Sequence, residues 1–398
     1  MTYWSFPDAL IQTYTLPYVF QIKEQLPPDS KLYLFTLSPE NYKKDHPVRH
    51  QIEMLKKKGI VVLNFKYTPF GITMAMKMVY ILCYLRVFSV RYKISHIHSW
   101  CTPGGAIGYL ASLLSGKKLI LDSFEPHALA MLESRAWKKN SFAFKFLFLA
   151  EKLQYKKADY VITAAPGMDR HAEQVYGVNR RDCFVKPACV DLNAFRLSMK
   201  KNGALVRELD LENTITCVYA GKFGGLYLER ETFDFFKIAR DYFGKTFRVL
   251  LLSNHSEEEI QDYCGASGLD RKVIIRKFVS HAQIPLYLGT ADFAITPVKP
   301  VPTKQYCTPI KNGEYWAMGL PVVITKNIST DSRIIEQNQI GYVLQELSAA
   351  EYLNAAKQIA ALLKEPGLAV RIRTVAERER SFSIAEKVYR SIYGPFSP

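Results

Sequence analysis

Short apolar segments rich in β-branched and aromatic residues alternate along most of the chain with longer segments of helical hydrophobic periodicity. Such alternation is typical of parallel sheets covered by helices, so the pattern predicts an α/β fold. The predicted strands form one series in each half of the chain, at residues 32–37, 60–65, 94–98, 119–123, 160–163 and 183–186, and at 215–220, 249–253, 273–278, 293–296 and 322–325.

Helix signals lie between these strands. Pro103 is placed to open a helix that Gly116 ends, and helical stretches at 349–363 and 384–392 close the chain. The polar, irregular segment 196–213 interrupts the alternation and marks a domain boundary. A chain of 398 residues is long enough for two domains, each with its own core.

The composition excludes several protein classes and leaves a regional charge excess. Hydrophobic residues make up 48% and charged residues 23% of the chain, which excludes a mainly disordered, collagenous or polytopic membrane protein. The net charge is +16, of which residues 1–200 contribute +13 (28 basic, 15 acidic). The first half is therefore expected to present a positive surface to phosphate, anionic lipid or nucleic acid.

Seven scattered cysteines without a CxxC pair indicate reduced thiols and a cytoplasmic protein. The first residues lack the basic and apolar regions of a signal peptide. The longest apolar run of the first half, residues 78–85, is far shorter than the ~20 residues that cross a bilayer. We therefore expect no membrane crossing and a cytoplasmic location, with peripheral contact to the inner face of the plasma membrane as an option.

A glycine-rich turn follows the first strand of the second series. It contains Gly221, Lys222, Gly224 and Gly225, and such a turn can bring backbone amides and an ammonium group to a phosphate. Its spacing matches neither a Walker A loop nor GxGxxG. An ordinary surface turn remains the alternative.

A second candidate is the helix expected after Pro309. Lys311 and Glu314 are three residues apart on one face of its first turns. The helix N-terminus and the lysine favour an anion, and the carboxylate can accept hydrogen bonds from hydroxyl groups, so a diphosphate joined to a ribose would use both. The alternative is an i, i+3 salt bridge on a solvated helix.

The run from Pro309 to Val323, PIKNGEYWAMGLPVV, resembles the donor-binding signature of retaining GT-B glycosyltransferases of family 4. Residues 220–224, 151–162 and 286–293 resemble further segments of that family, in the same order. The resemblance implies two Rossmann-like domains that face a cleft. Residues 1–195 would bind the acceptor and 196–380 the nucleotide-sugar donor, and a helix in 381–398 would cross back to the first domain.

The implied activity is retaining transfer of a hexosyl group from a nucleotide-sugar to a glycan or lipid-linked acceptor in surface polysaccharide biosynthesis. Lys222 and Lys311 would hold the diphosphate and Glu314 the ribose. No DxD triplet occurs, so no divalent metal and no bound cofactor are expected. One departure from the family is Tyr306, which stands where an acidic residue is frequent and leaves recognition of the donor hexose open.

Polar groups also follow two strands of the first series. His98 ends one strand, and Asp122, Glu125 and His127 follow the next, where they could bind the donor sugar or orient an acceptor hydroxyl as catalytic groups. A hydrogen-bonded structural histidine is the alternative for His98. Further acceptor-side candidates are the two glycines that begin the next helix, for which helix packing is an equal explanation: Gly104 and Gly105.

Two segments of the first half, 74–93 and 142–157, combine aromatic residues with Lys and Arg. They are predicted to be interfacial helices that contact anionic lipid, with ordinary core packing as the alternative. Three rivals to the leading interpretation remain: a nucleotide-sugar epimerase of similar fold, a noncatalytic GT-B partner, and a basic nucleic-acid-binding protein. No compact nucleic-acid motif is present, so nucleic acid is not an expected partner.

Overall fold

A computed structural model describes residues 1–38, 47–68, 71–180 and 183–394. The chain divides into two compact units: unit 1 comprises residues 1–186 and 383–398, and unit 2 comprises residues 187–382. Each unit contains parallel strands joined by helices, which confirms the predicted α/β class.

The described residues of unit 1 include six strands: β1 (Leu32–Ser38), β2 (Ile60–Lys66), β3 (His96–Trp100), β4 (Lys118–Phe124), β5 (Tyr160–Thr163) and β6 (Cys183–Val185). Its helices are α1 (Leu16–Glu24), α2 (Pro47–Lys57), α3 (Ile72–Arg91), α4 (Cys101–Ser115), α5 (His127–Glu133), α6 (Phe142–Lys157) and α7 (Met168–His171), joined at the end of the chain by α16 (Phe382–Tyr393).

The strands of unit 1 form two parallel sheets, β1–β2 and β3–β4–β5–β6. The first residues of the chain run between the two sheets: the Thr2 N–H donates to the Phe35 carbonyl, and the Trp100 N–H donates to the Met1 carbonyl. Beside them lies a cavity of about 530 Å³ whose lining includes Leu34 and Ile97. This cavity holds none of the donor-site residues predicted from the sequence.

Unit 2 holds six strands: β7 (Ile215–Ala220), β8 (Phe247–Leu252), β9 (Ile274–Lys277), β10 (Phe293–Thr296), β11 (Val322–Thr325) and β12 (Gly341–Leu344). They pair in parallel in the order β12–β11–β10–β7–β8–β9. The helices are α8 (Gly203–Glu208), α9 (Arg230–Phe243), α10 (Glu257–Ser267), α11 (Ile284–Leu288), α12 (Ile310–Ala317), α13 (Asp331–Asn338), α14 (Ala349–Leu362) and α15 (Leu368–Arg380).

Nearly continuous apolar strands explain this second sheet. β7, β10 and β11 are buried over almost their whole length, as expected for parallel strands covered on both faces. All eleven predicted strands are present, each within two residues at either end. Strand β12 was not predicted because it is a four-residue edge strand that begins with glycine, a residue that disfavours strands.

The structure moves the expected boundaries of the domains. Residues 187–195 belong to unit 2 instead of the first domain, because the Val190 N–H donates to the Arg380 carbonyl and Phe195 is buried in the core of unit 2. The segment 196–213, expected to be irregular, contains a 3₁₀ turn and α8. From Ser383 onward the last helix belongs to unit 1, in agreement with the implied return of the C-terminus.

One helix of the first half is longer and more apolar than the sequence pattern indicated, while the expectation of no membrane crossing stays a prediction. Helix α3 has 20 residues, and by length and composition it is the one helix among the described residues that could cross a membrane. The run 78–85 underestimated it because Lys77 and Arg86 interrupt the apolar sequence without ending the helix.

Candidate functional site

The glycine-rich turn and the start of α12 lie at the same edge of the sheet of unit 2. Strands β7 and β10 are parallel neighbours, so their carboxyl ends meet at one edge. The turn 221–225 follows β7, and α12 is the next α-helix after β10. In open α/β sheets, this edge is where ligands bind.

A close approach joins the two segments. Gly221 has a φ of +152°, and a Cβ built there would lie 2.7 Å from both Cε and Nζ of Lys311. The Lys311 ammonium donates to the Tyr227 hydroxyl at 3.2 Å and lies 4.3 Å from the centre of the Tyr227 ring. The backbone conformation therefore favours glycine at position 221, and a larger residue there would displace the end of the Lys311 side chain.

Hydrogen bonds on both sides fix the turn. The Tyr219 hydroxyl donates to the Lys222 carbonyl at 2.6 Å, and the Phe223 N–H donates to Nε2 of His255 at 2.9 Å. Burial raises the pKa of Tyr219, so its hydroxyl stays protonated as this donor. The Lys222 side chain is exposed, and Gly224 and Gly225 both have positive φ. The turn thus holds its backbone rigid while one ammonium group extends into solvent.

Glu314 is 7% exposed, and its Oε1 lies 3.4 Å from Nε2 of His281. Lys311 and Glu314 therefore have different partners, Tyr227 and His281, although they share a helix face. This arrangement disfavours the alternative of a solvated i, i+3 pair. Pro309 is the N-cap residue of α12, so the first N–H groups of the helix open beside these side chains.

A buried polar network holds α12 in place. The Thr296 hydroxyl donates to Asn312 Oδ1 at 2.5 Å, Asn312 Nδ2 donates to Asp331 at 2.6 Å, and Asp331 pairs with the buried Arg380. Sequence reasoning missed this network. The only trace of this network in the sequence is Asn312, a polar residue within an apolar helix, and Arg380 at the end of α15, about 70 residues further along the chain.

Tyr306 ends a 3₁₀ turn, Pro302–Tyr306, that precedes α12, and it is partly exposed. Phe278 was not predicted. It directly follows β9 and is 74% exposed, three residues before His281. An aromatic ring this exposed, in the loop whose histidine contacts Glu314, is available to a flat ligand group.

Solved structures of similar fold are known. Sucrose-phosphate synthase from Thermosynechococcus elongatus aligns with a TM-score of 0.71 at 14% identity, over 96% of this chain and 94% of that one. Anabaena HepE, solved in complex with UDP, aligns at 0.67 and 14%, over 90% and 92%. A putative UDP-N-acetylglucosamine 2-epimerase from Listeria monocytogenes aligns at 0.61 and 12%, over 99% and 95%. The TM-scores show a shared fold, and at identities this low they show the fold alone.

The sequence comparison adds a family match to this shared fold. Residues 218–364 match the family model Glycosyl transferases group 1, a segment that contains the whole turn 221–225, Lys311 and Glu314. The chain is a glycosyltransferase of the GT-B fold. No curated protein sequence is significantly similar to it.

In unit 1 of this glycosyltransferase, Asp122 is fully buried among four polar groups, one of which is the Ser123 hydroxyl that donates to its Oδ1 at 2.9 Å. Its Oδ1 lies 3.1 Å from Lys186 Nζ, while Oδ2 accepts from the Tyr389 hydroxyl at 2.6 Å and lies 3.1 Å from His98 Nε2. Burial alone would raise the pKa of Asp122, but the Lys186 ammonium and the hydrogen bonds hold it well below its usual range. Both oxygens are occupied, which favours a structural role for Asp122 over the catalytic one predicted from the sequence.

His98 belongs to the same network. Its Nδ1 lies 2.7 Å from the Tyr393 hydroxyl, so both ring nitrogens have partners, and burial lowers the pKa of His98. The alternative of a hydrogen-bonded structural histidine therefore fits this position better than acceptor binding. No local sequence pattern pointed to Lys186, which follows β6, or to Tyr389 and Tyr393 of α16, and these residues attach the last helix to the sheet.

The two glycines of α4 are explained by packing. A Cβ on Gly105 would lie 1.8 Å from Gln154 Oε1 on α6, and a Cβ on Gly104 would lie 3.2 Å from the Met1 carbonyl. Their surfaces are thus covered by neighbouring parts of unit 1, which favours the packing explanation over the predicted access for an acceptor. Close helix packing is the reason for glycine here.

Glu125 and His127 of the glycosyltransferase keep accessible side chains. Nδ1 of His127 lies 3.6 Å from Oε1 of Glu125, and the two side chains are 30% and 22% exposed. Their predicted roles stay open to test. Within residues 1–38, 47–68, 71–180 and 183–394, no three His, Cys, Asp or Glu side chains come together as metal ligands would.

Proposed function

We propose that this glycosyltransferase moves a hexosyl group, with retention of anomeric configuration as in family 4, from a nucleotide-sugar to a glycan or lipid-linked acceptor of surface polysaccharide synthesis. The observation that carries the donor half is the approach of Lys311 to Gly221 beside the open N-terminus of α12. A cation, a glycine turn and free helix N–H groups at one sheet edge are the groups that a diphosphate needs.

The Lys311 ammonium has three N–H groups, of which one goes to Tyr227. The others are directed to a diphosphate, with Lys222 as a second cation from the exposed side of the turn. As the anomeric bond breaks, negative charge grows on the leaving diphosphate. Fixed cations and N–H groups at that position stabilise the transition state more than the bound donor. We propose that this arrangement replaces a divalent metal and that no cofactor is used.

Glu314 and Phe278 complete the proposed donor site. His281 occupies one oxygen of Glu314, and the other accepts hydrogen bonds from the ribose hydroxyls. The exposed ring of Phe278 stacks on the base. Because HepE was solved with UDP, a uridine nucleotide is the first donor to test.

The acceptor is proposed to bind to unit 1 near Glu125 and His127. These are the polar groups of the predicted acceptor side whose partners leave them accessible. Glu125 would orient the acceptor hydroxyl through His127. The proposed place of reaction is the cytoplasm, where nucleotide-sugars are made.

The donor proposal is tested by thermal stabilisation with UDP, GDP, ADP and their common sugars, with and without EDTA, because a ligand that binds only the folded state raises its stability. We expect a shift with one nucleotide that EDTA leaves unchanged. Lys311→Ala and Glu314→Ala should lose most of it, whereas Lys357→Ala, an exposed lysine on α14, should not. Equal shifts in all four proteins would contradict the site.

The second candidate is a nucleotide-sugar epimerase, favoured by the fold shared with the putative enzyme of Listeria. It would convert the nucleotide-sugar that gives the thermal shift without any acceptor. Product analysis by chromatography of donor incubated alone separates the two. Epimerised sugar would support this candidate, and an unchanged donor that is consumed only with acceptor would support transfer.

A further inference from the structure

Helix α3 is apolar on two opposite faces. One stripe, which includes Met74, Ile81, Leu85 and Phe88, is buried in unit 1. The opposite stripe recurs at intervals of three, four and eight residues, which keep it on one side of the helix, and its side chains are 62–82% exposed: Ile72, Met76, Val79, Val87 and Val90. A surface helix of a globular protein normally has one apolar stripe and a polar outer face. The outer stripe of α3 therefore has the composition of a second contact surface.

The neighbouring helices extend this surface. α4 packs against both α3 and α6, and Arg86 of α3 donates to the Leu114 carbonyl at the end of α4. Each neighbour also exposes large apolar side chains, on α4 Leu110, Leu113 and Leu114 and on α6 Phe142, Phe146 and Leu149. We call the exposed sides of α3, α4 and α6 the apolar–basic face. An apolar area spread over three adjacent helices indicates an interaction surface.

The charges around this face have one sign. Residues 72–93 contain Lys77, Arg86, Arg91 and Lys93 and no acidic residue. α6 adds Lys145, Lys152, Lys156 and Lys157, and its one acid, Glu151, is fully buried. Burial raises the pKa of Glu151 to about 8, so it is largely protonated at neutral pH. The partner must therefore be anionic and must also offer an apolar phase.

We propose that the apolar–basic face docks on the surface of an anionic lipid bilayer, with α3 lying in the plane of the interface. A lipid surface provides both requirements at once, acyl chains for the apolar stripe and headgroup phosphates for Lys and Arg. Tyr80, 63% exposed next to Val79, is suited to the boundary between the two. Nucleic acid supplies the charge but no apolar phase for Ile72 or Val87.

The packing of α3 decides between lying on a membrane and crossing it. Its inner stripe is fixed to unit 1, where the Phe88 and Tyr33 rings meet edge to face at 4.9 Å. A spanning orientation would remove this stripe from its core, so α3 is placed with only its outer side towards lipid. This docking concerns unit 1 alone and does not depend on the donor site proposed above.

The test is sedimentation of the full-length protein with vesicles of phosphatidylcholine alone and of phosphatidylcholine mixed with phosphatidylglycerol. We expect binding to the mixed vesicles that weakens with salt but persists, because part of it is apolar. The double variant V79E/V87E should bind at least about ten-fold more weakly. Its control is V370E, which replaces a valine of unit 2 that is also 62% exposed.

A second pair of variants tests the charges. K145Q/K152Q should bind the mixed vesicles more weakly and with a smaller salt dependence, whereas K357Q should match the wild type. Donor-induced thermal shifts should be equal in all these proteins, which separates a failure of docking from a failure of the donor site. Equal vesicle binding by V79E/V87E and wild type would overturn the proposal.

Two further outcomes would overturn the proposal in favour of another partner. If the wild type fails to bind vesicles but forms dimers that V79E/V87E abolishes, the face joins two copies of this chain. If the wild type binds single-stranded RNA but no vesicles, and K145Q/K152Q loses that binding, the basic groups serve nucleic acid. Size-exclusion chromatography and fluorescence anisotropy measure these outcomes.

Discussion

The substitution Asp122→Asn separates a structural from a catalytic carboxylate. In the folded protein, Asp122 is the buried counter-ion of Lys186, whose Nζ is 3.1 Å away and itself fully buried. Asparagine keeps the size of the side chain but leaves the ammonium without a counter-charge. Breaking a buried pair in this way costs about 3–5 kcal/mol.

The expected loss is large enough to measure by heating. For a unit of about 200 residues, each kcal/mol corresponds to a change in Tm of roughly 2–4 °C, so the transition of unit 1 should fall by roughly 6–20 °C. Differential scanning calorimetry with and without the donor nucleotide assigns the transitions, because the nucleotide should stabilise unit 2. Glu125→Gln is the matched control: this side chain is partly exposed and lies 3.6 Å from His127, so we expect no change in Tm.

The pH dependence gives a second readout. The pKa of Asp122 is lowered by folding, so its contribution to stability is present above its unfolded pKa of about 3.8 and is lost as the pH falls towards the lower folded value. The difference in stability between wild type and Asp122→Asn should therefore be constant from pH 7 to about 4 and shrink below it. A variant as stable as the wild type that binds donor but does not transfer sugar would refute the structural role.

Two further predictions concern Gly221 and Glu151. Gly221→Ala introduces a Cβ 2.7 Å from Lys311 Nζ at a φ of +152°, which costs about 1–3 kcal/mol in backbone strain and moves the ammonium group. We therefore expect titration calorimetry to show a several-fold to hundred-fold weaker affinity for the donor nucleotide. An unchanged affinity would argue against the contact between Gly221 and Lys311. Folding raises the pKa of Glu151 from 4.5 to about 8, so the stability of the wild type should fall as the pH rises between these values. In Glu151→Gln, the slope of Tm against pH, measured from pH 5 to 8, should be flatter than in the wild type. Parallel slopes in the two proteins would contradict a buried, protonated carboxyl group at position 151.

Much of the fold could be predicted because parallel strands buried on both faces are continuous apolar runs. Strand β11, Val322–Thr325, is one example, with all four residues buried. Short edge elements lack this signal, as β12 shows. The domain boundary moved because residues 187–195 are fixed by a backbone hydrogen bond from Val190 to Arg380, by hydrogen bonds from Arg373 and by the burial of Phe195, and these partners are remote in sequence.

The site could be predicted where its chemistry is local in sequence. The spacing of Lys311 and Glu314 and the glycines of the turn indicated a donor site, and the structure brings Lys311 against Gly221. The contacts that hold these groups could not be predicted, because Tyr227 and His281 come from segments 84 and 33 residues away. Nothing in their own neighbourhood distinguishes them from surface residues.

Charged residues at the carboxyl edge of the sheet have different roles in the two units. Asp122 has every oxygen occupied by a cation, an imidazole or a phenol, and it has no exposed surface. Lys311 has one hydrogen-bonded partner among the described residues, and the two aromatic rings beside it orient the ammonium without neutralising its charge. A ligand can compete for the second kind of group but not for the first. The number of partners already satisfied, rather than the type of residue or its place after a strand, therefore separates binding groups from structural ones in this glycosyltransferase, and it directs mutagenesis to Lys311, Glu314 and Glu125 before Asp122.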